Sequence, residues 1–232
     1  MKAIITGASK GIGLAIAQEF AQRGISMILC SRNLSEITQL AQELSQKFGI
    51  EAHGVDIDVR QKSDIQRLID FVQHTWDGVD ILVNNAGIFY PGNTTEESEE
   101  NLPLMIETNL YSAYYLTRGI LPLMTPQRKG YIFNMCSIAS FMAYPNGGSY
   151  SISKFALLGY TKVLRAELKA EGIKVIAVMP GATWSDSWKG VDLPHERLME
   201  ASDIATMVGA ALDLSDAAVM EEIILRPQLG DL

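Results

Sequence analysis

Short apolar runs alternate along this chain with longer stretches in which apolar residues recur every three or four positions. The runs cover residues 3–6, 26–30, 52–57, 81–84, 131–136, 174–178 and 222–225, and their near-continuous hydrophobicity predicts strands buried on both faces. Between them, residues 12–22, 34–48, 62–75, 102–124, 150–170 and 201–214 carry the helical period. Apolar strands separated by helices predict a parallel sheet covered on both faces, a doubly wound α/β fold. No repeat, low-complexity tract or linker divides the chain, so residues 1–232 are expected to form a single domain.

Two segments break the rhythm. Residues 91–100 are polar and acidic, with Glu96, Glu97, Glu99 and Glu100, and read as a solvated loop feeding a helix whose N-terminus favours carboxylates. Residues 183–198 carry Trp184, Trp188, Pro194 and His195 after a strand, at the sheet edge where open α/β folds place ligands. That loop is either a substrate lid or a segment packing its aromatics on its own domain.

Composition narrows the partners. A formal net charge of −8 argues against nucleic acid or an anionic membrane as the main partner, while local cations can still hold a phosphate. No uninterrupted apolar run approaches the ~18–20 residues that span a bilayer. The N-terminus runs straight into the first motif, leaving no room for a signal peptide, so the cytoplasm is the expected compartment. The two cysteines, Cys30 and Cys136, end strand-like runs and read as small buried hydrophobes outside any CxxC pair. His53, His74 and His195 show no ligand spacing, and no metal is expected.

Thr6-Gly7-Ala8-Ser9-Lys10-Gly11-Ile12-Gly13 links the first strand to the first helix. Glycines there permit a tight turn and let the backbone approach a pyrophosphate, at which the helix aims its free N–H groups. The second strand ends in Leu29-Cys30-Ser31-Arg32-Asn33 with no acid to accept from a ribose 2′-hydroxyl. Arg32, with Lys10 from the glycine turn, offers donors to a 2′-phosphate instead, which favours NADP(H) over NAD(H).

Tyr150 and Lys154 are spaced to share one helix face, with Ser137 upstream. A phenol of pKa ~10 is a poor base at neutral pH, and a nearby ammonium would lower that value. Ser137 can donate to a substrate oxygen that the tyrosine protonates as hydride arrives at carbon.

The glycine turn, Asn84-Asn85-Ala86-Gly87, Asn109, Ser137, Tyr150 with Lys154, and Pro180-Gly181 stand in the order and spacing of the short-chain dehydrogenase/reductases, which the chain resembles over essentially its whole length. The resemblance implies a Rossmann-type seven-stranded sheet in the order 3-2-1-4-5-6-7, assembled as a homodimer or homotetramer. It also implies catalytic roles for Ser137, Tyr150 and Lys154, with Lys154 bonding the nicotinamide ribose and Asn109 holding a water in the proton relay. Gly7, Ser9, Lys10, Gly11, Ile12, Gly13, Ser31, Arg32 and Asn33 would then line the phosphate and ribose end of NADP(H). Asp58 and Val59 match the adenine-binding pair. Asn85, Ala86 and Gly87 match the segment under the adenosine ribose, and Pro180, Gly181, Thr183 and Ser185 the segment near the carboxamide and phosphate. Strands two and five would be too far apart for a Cys30–Cys136 disulfide.

Phe89, Tyr90, Phe141, Met142, Tyr144, Trp184 and Trp188 follow strands four, five and six, and are the expected pocket lining for a planar or apolar carbonyl or alcohol. The C-terminal tail and the tryptophan-containing run resemble sepiapterin-reductase-like members, in which an acid near the C-terminus anchors a basic pterin. Asp231 is the candidate, with a solvated terminal carboxylate as its alternative. A 3-oxoacyl-carrier-protein reductase ranks lower, because the tail lacks that group's glycine-rich strand and the chain shows little basic landing patch beyond Arg128 and Lys129. A redox sensor that binds NADP(H) without turnover remains the alternative of another class, although such relatives typically lose the tyrosine or lysine.

Overall fold

The computed structural model describes residues 1–185, 188 and 190–231. Seven strands form one sheet: β1 (Lys2–Thr6), β2 (Ser26–Ser31), β3 (Ala52–Asp56), β4 (Ile81–Asn84), β5 (Gly130–Met135), β6 (Ile173–Pro180) and β7 (Glu222–Leu225). Their order is β3-β2-β1-β4-β5-β6-β7, and every neighbouring pair runs parallel, as expected. The helices are α1 (Gly11–Gln22), α2 (Leu34–Phe48), α3 (Lys62–Thr75), α4 (Asn101–Ile106), α5 (Ser112–Met124), α6 (Gly148–Leu168) and α7 (Ala201–Leu212).

Two hydrophobic layers explain why the strands read as continuous apolar runs. Along β1, Ala3 and Ile5 pack into a core with Phe20 of α1, Ile37 of α2 and Val208 of α7. Ile4 faces the other way, into a core with Leu68 of α3, Leu116 of α5 and Leu164 of α6. Register carries that second layer across the sheet, since Ile4 pairs with Ile28 and Leu82, and Leu82 with Ile132. Each such buried aliphatic contributes about 1.5–3 kcal/mol relative to exposure, so a one-residue slip of a strand is strongly opposed.

Most element ends follow local chemistry. Asn33 caps α2 by accepting from the Glu36 N–H (3.3 Å), and Gly49 ends that helix in the left-handed conformation. The expected helix 150–170 starts earlier, at Gly148, and closes in a 3₁₀ turn at Lys169–Glu171. The expected 201–214 stops at Leu212, where Asp213 pairs with Arg23 (2.8 Å). The expected helix 102–124 is broken: a π turn at Glu107–Tyr111 separates α4 from α5. On that turn Asn109 bonds its amide to Ile88, in the loop after β4, and to Ser153 of α6.

Cys30 on β2 and Cys136 just past β5 are both buried free thiols, with β1 and β4 between their strands. Among the described residues no helix is long and apolar enough to cross a membrane.

Candidate active site

The carboxyl ends of the strands carry the polar groups. Thr6 ends β1, and its hydroxyl accepts the N–H groups of Asn85 and Ala86 (3.0 Å each). Asn85 returns its side-chain amide to the carbonyls of Thr6 (2.9 Å) and Gly7 (3.0 Å), tying the β4 exit to the glycine turn. Gly7 has φ of 64°, and a Cβ on Gly13 would fall 2.3 Å from the Gly7 carbonyl oxygen, so the turn closes only without side chains there. α1 then starts at Gly11 with no side-chain cap and no acid in its first turn. An uncapped N-terminus of this kind over a glycine cradle suits an anionic pyrophosphate.

At the neighbouring strand ends, Arg32 is exposed. Ser31 and Asn33 make local hydrogen bonds. The Ser31 hydroxyl bridges the Asn33 N–H and carbonyl, and the Asn33 side chain caps α2, because this turn must satisfy its own backbone before a helix begins. Arg60 grips the Asp58 carboxylate (Nη2–Oδ2 2.5 Å, Nε–Oδ1 3.0 Å) and holds its carboxyl below the usual range, with Arg32 adding to the effect. Val59 packs against the second core. The Asp58 side chain facing this edge is therefore already ion-paired.

The chemical groups converge between β5, α5 and α6. Ser137 caps a short 3₁₀ turn (Ile138–Ser140): its Oγ accepts the Ala139 N–H (3.1 Å), while the Ser137 N–H donates to Ser140 Oγ (3.1 Å). Tyr150 lies in the first turn of α6, and Phe89 packs edge-on against its ring (centroids 4.9 Å, 74°). Lys154, one turn on, is 5% exposed, donates to the Met135 carbonyl (2.7 Å) and sits 5.6 Å from the Tyr150 ring centroid. Asn109 (1% exposed) accepts the Ile88 N–H (2.8 Å) and donates to the Ile88 carbonyl (3.0 Å) and to Ser153 Oγ (2.9 Å). Asn109 and Lys154 meet over Gly87, where an added Cβ would lie 3.2 Å from Asn109 Oδ1 and 3.5 Å from Lys154 Nζ.

Burial sets the protonation states. It pushes the Tyr150 phenol above its ordinary value, and the Ser137 hydroxyl acts the other way. It also lowers Lys154 to about 8. The phenol therefore lies above its ordinary value and not below it as a nearby ammonium would place it, because desolvation dominates and Lys154 Nζ is bonded to the Met135 carbonyl. At neutral pH the phenol keeps its proton.

Ser137, Tyr150 and Lys154 line a cleft of about 570 Å³ that also receives the glycine turn through Ile12 and Asn85, with Asn109 buried outside the lining. Phe89, Met142, Tyr144, Trp188 and Val191 form its apolar walls, and Gly181, Thr183, Ser185 and Asp231 another side. Phe141 (42% exposed) and Tyr90 (45% exposed) stand outside the lining. Trp184 is also outside it: its indole N–H donates to the His195 carbonyl (2.8 Å), and its ring stacks on the His195 imidazole (5.7 Å), so the loop partly packs on itself. The portions of the expected lid at 186, 187 and 189 lie outside the described residues. Asp231 reaches the cleft but is ion-paired with Arg226.

Sequence reasoning passed over a buried relay behind the site. Asn84 donates to Thr117 Oγ1 (3.0 Å) and Asn134 Oδ1 (2.8 Å), and Asn134 donates to Thr161 Oγ1 (2.9 Å), pinning α5 and α6 to β4 and β5. Two asparagines interrupting apolar strands were the available signal. Among the described residues no group of three His, Cys, Asp or Glu gathers as for a metal ion.

Residues 1–194 match the family model described as short chain dehydrogenase. The chain is 32% identical to a sepiapterin reductase of Chlorobaculum tepidum over 237 residues, covering 99% of this chain and 97% of that one. An uncharacterized oxidoreductase of Staphylococcus epidermidis is 32% identical over 225 residues, covering 97% and 96%. Among solved structures, an alcohol dehydrogenase from the archaeon Thermococcus sibiricus, complexed with 5-hydroxy-NADP, superposes with a TM-score of 0.92 at 29% identity, covering 100% and 98%. L-sorbose reductase from Gluconobacter frateurii, complexed with NADPH and L-sorbose, gives 0.88 at 27% identity over 97% and 94%. A glycine-cradled helix N-terminus and a Ser–Tyr–Lys cluster sharing one cleft, on this sheet order and with these relatives, place the chain in the short-chain dehydrogenase family of oxidoreductases.

Proposed function

We propose that the protein is an NADPH-dependent reductase of small carbonyl compounds, working reversibly on the corresponding alcohols. The observation that carries this reading is the convergence of Ser137, Tyr150 and Lys154 on the cleft that the glycine turn enters, with Asn109 buried beside them. The cofactor fits the residues present: the Gly7–Gly13 cradle and bare α1 N-terminus suit its pyrophosphate, and Arg32 with Lys10 suits a 2′-phosphate where no acid ends β2. Bound there, the nicotinamide supplies or accepts the hydride. Tyr150 donates its phenolic proton to the substrate oxygen, a role matched by its raised pKa. Ser137 steadies that oxygen, and the Lys154 ammonium balances the charge left on the phenol. Asn109, anchored by Ile88, fixes the proton path at the lysine.

The walls formed by Phe89, Met142, Tyr144, Trp188 and Val191 favour a planar or apolar carbonyl, with sepiapterin and aromatic diketones the first compounds to try. The exposed apolar side chains Ile152, Phe155 and Val163 on α6 support assembly of the chain with itself. NADPH oxidation across a panel of pterins, diketones and ketoesters tests the reading. Turnover should fall by about 10²–10⁴ in Tyr150→Phe while NADPH binding persists. Tight NADPH binding with no turnover of any carbonyl would replace this reading with that of a redox sensor.

A further inference from the structure

The helix that carries Tyr150 and Lys154 has no cap of its own. Its N-cap residue is Gly147, which offers no side chain, and the first-turn N–H groups of α6 have no partner within the helix. The missing acceptor comes from the acidic segment 91–100. Glu97 Oε1 accepts both the backbone N–H of Ser149 (3.0 Å) and the Ser149 hydroxyl (2.5 Å), one residue before Tyr150. Ser149 is 2% exposed, so the carboxylate is locked onto a buried donor pair. Glu97 is half-buried, whereas Glu96, Glu99 and Glu100 are exposed. Gly148 permits the approach: a Cβ there would fall 2.3 Å from the Gly92 carbonyl and 3.0 Å from Glu97 Oε1.

The rest of the segment is fastened to the same place. Gly92 bridges Gly147 and its N–H donates to the Asn146 carbonyl (3.0 Å), while Asn93 Oδ1 accepts the Asn146 N–H (3.1 Å). Upstream, Ile88 holds Asn109 and Phe89 packs on the Tyr150 ring. One stretch of chain thus leaves β4, braces the asparagine, braces the tyrosine ring, and ends by capping the tyrosine's helix.

We infer that Glu97 is a positioning residue for the reaction, fixing the first turn of α6 so that the Tyr150 hydroxyl stands against Ser137. This rests on the carbonyl-reductase reading for its catalytic half, whereas the capping half does not depend on it. A carboxylate at a helix N-terminus also meets the positive end of the helix dipole, which adds to the two hydrogen bonds.

The test compares Glu97→Ala, Glu97→Gln and Glu97→Asp, with the exposed Glu99→Ala as control. Glu97→Ala should lower kcat about tenfold while leaving NADPH affinity and carbonyl KM within about twofold, the pattern of a displaced reacting group of helix-cap size. Glu97→Gln reaches the same donors with its amide oxygen and should recover most of kcat. Glu97→Asp keeps the charge but is too short, and should not. Hydrogen exchange of the Ser149 amide should accelerate in the alanine and aspartate variants and stay slow in the glutamine variant. Full kcat in Glu97→Ala, or loss of kcat in step with NADPH affinity, overturns the inference. So does Glu97→Asp outperforming Glu97→Gln, a comparison that decides even if the alanine variant does not fold. If the wild-type protein turns over no carbonyl, the functional reading falls instead, and Ser149 exchange still decides whether Glu97 caps the helix.

Discussion

At the residue scale, the site sets desolvation against charge. Lys154 sits almost fully buried with a backbone carbonyl as its neighbour, and burial lowers it to about 8. Below pH 8 the ammonium is charged in both folded and unfolded states, and its burial costs stability. Between pH 8 and the ordinary lysine value the unfolded chain binds a proton that the folded protein does not, so stability rises with pH. Relative to Lys154→Met, the cofactor-free wild type should therefore gain stability on going from pH 7 to pH 10, by on the order of 2–3 kcal/mol. Urea unfolding of both proteins at the two pH values checks this, and parallel curves would refute it. Arg32 poses a simpler question, because it is exposed and its value lies in what it recognises. Arg32→Ala should weaken NADPH binding by roughly 10–100-fold and NADH binding far less, the loss of a charge-assisted contact to phosphate. Fluorescence titration with both cofactors measures it, and equal losses would remove the 2′-phosphate assignment.

At the element scale, what was legible followed from local rules. The ends of α2 coincide with the expected bounds because capping and turn chemistry at Asn33 and Gly49 are written in adjacent residues, and α3 matches its expected bounds through its apolar period, without a side-chain cap. The 102–124 stretch was not legible as three pieces. Its apolar period continues through Glu107–Tyr111, and on the π turn there Asn109 bonds to Ile88 and Ser153, partners distant in the chain. The acidic segment 91–100 shows the same limit more sharply. Its carboxylates read correctly as suited to a helix N-terminus, but the helix that Glu97 serves is α6, more than forty residues on, and not the one that follows directly.

At the scale of the whole molecule, a parallel sheet buried on both faces gathers residues from distant stretches of chain at its carboxyl edge. The outer face of α6 keeps Ile152, Phe155 and Val163 between 44% and 54% exposed, with Tyr111 of the π turn also exposed. If that face joins copies of the chain, Phe155→Glu should shift the protein toward monomer by light scattering at fixed concentration. An unchanged mass for wild type and variant, both monomeric, would end the assembly proposal.

The sequence by itself determined the strand–helix alternation, the glycine cradle, and the spacing that sets Tyr150 and Lys154 on one helix face, since periodicity and turn chemistry are carried by neighbours in the chain. The tertiary structure alone decided which aromatics reach the cleft, leaving Trp184 on His195 and Phe141 outside. It also decided that Asp58 is gripped by Arg60, that burial raises the Tyr150 phenol, and that Glu97 caps α6. Those outcomes depend on desolvation and on contacts between residues far apart in the chain, which no local pattern encodes.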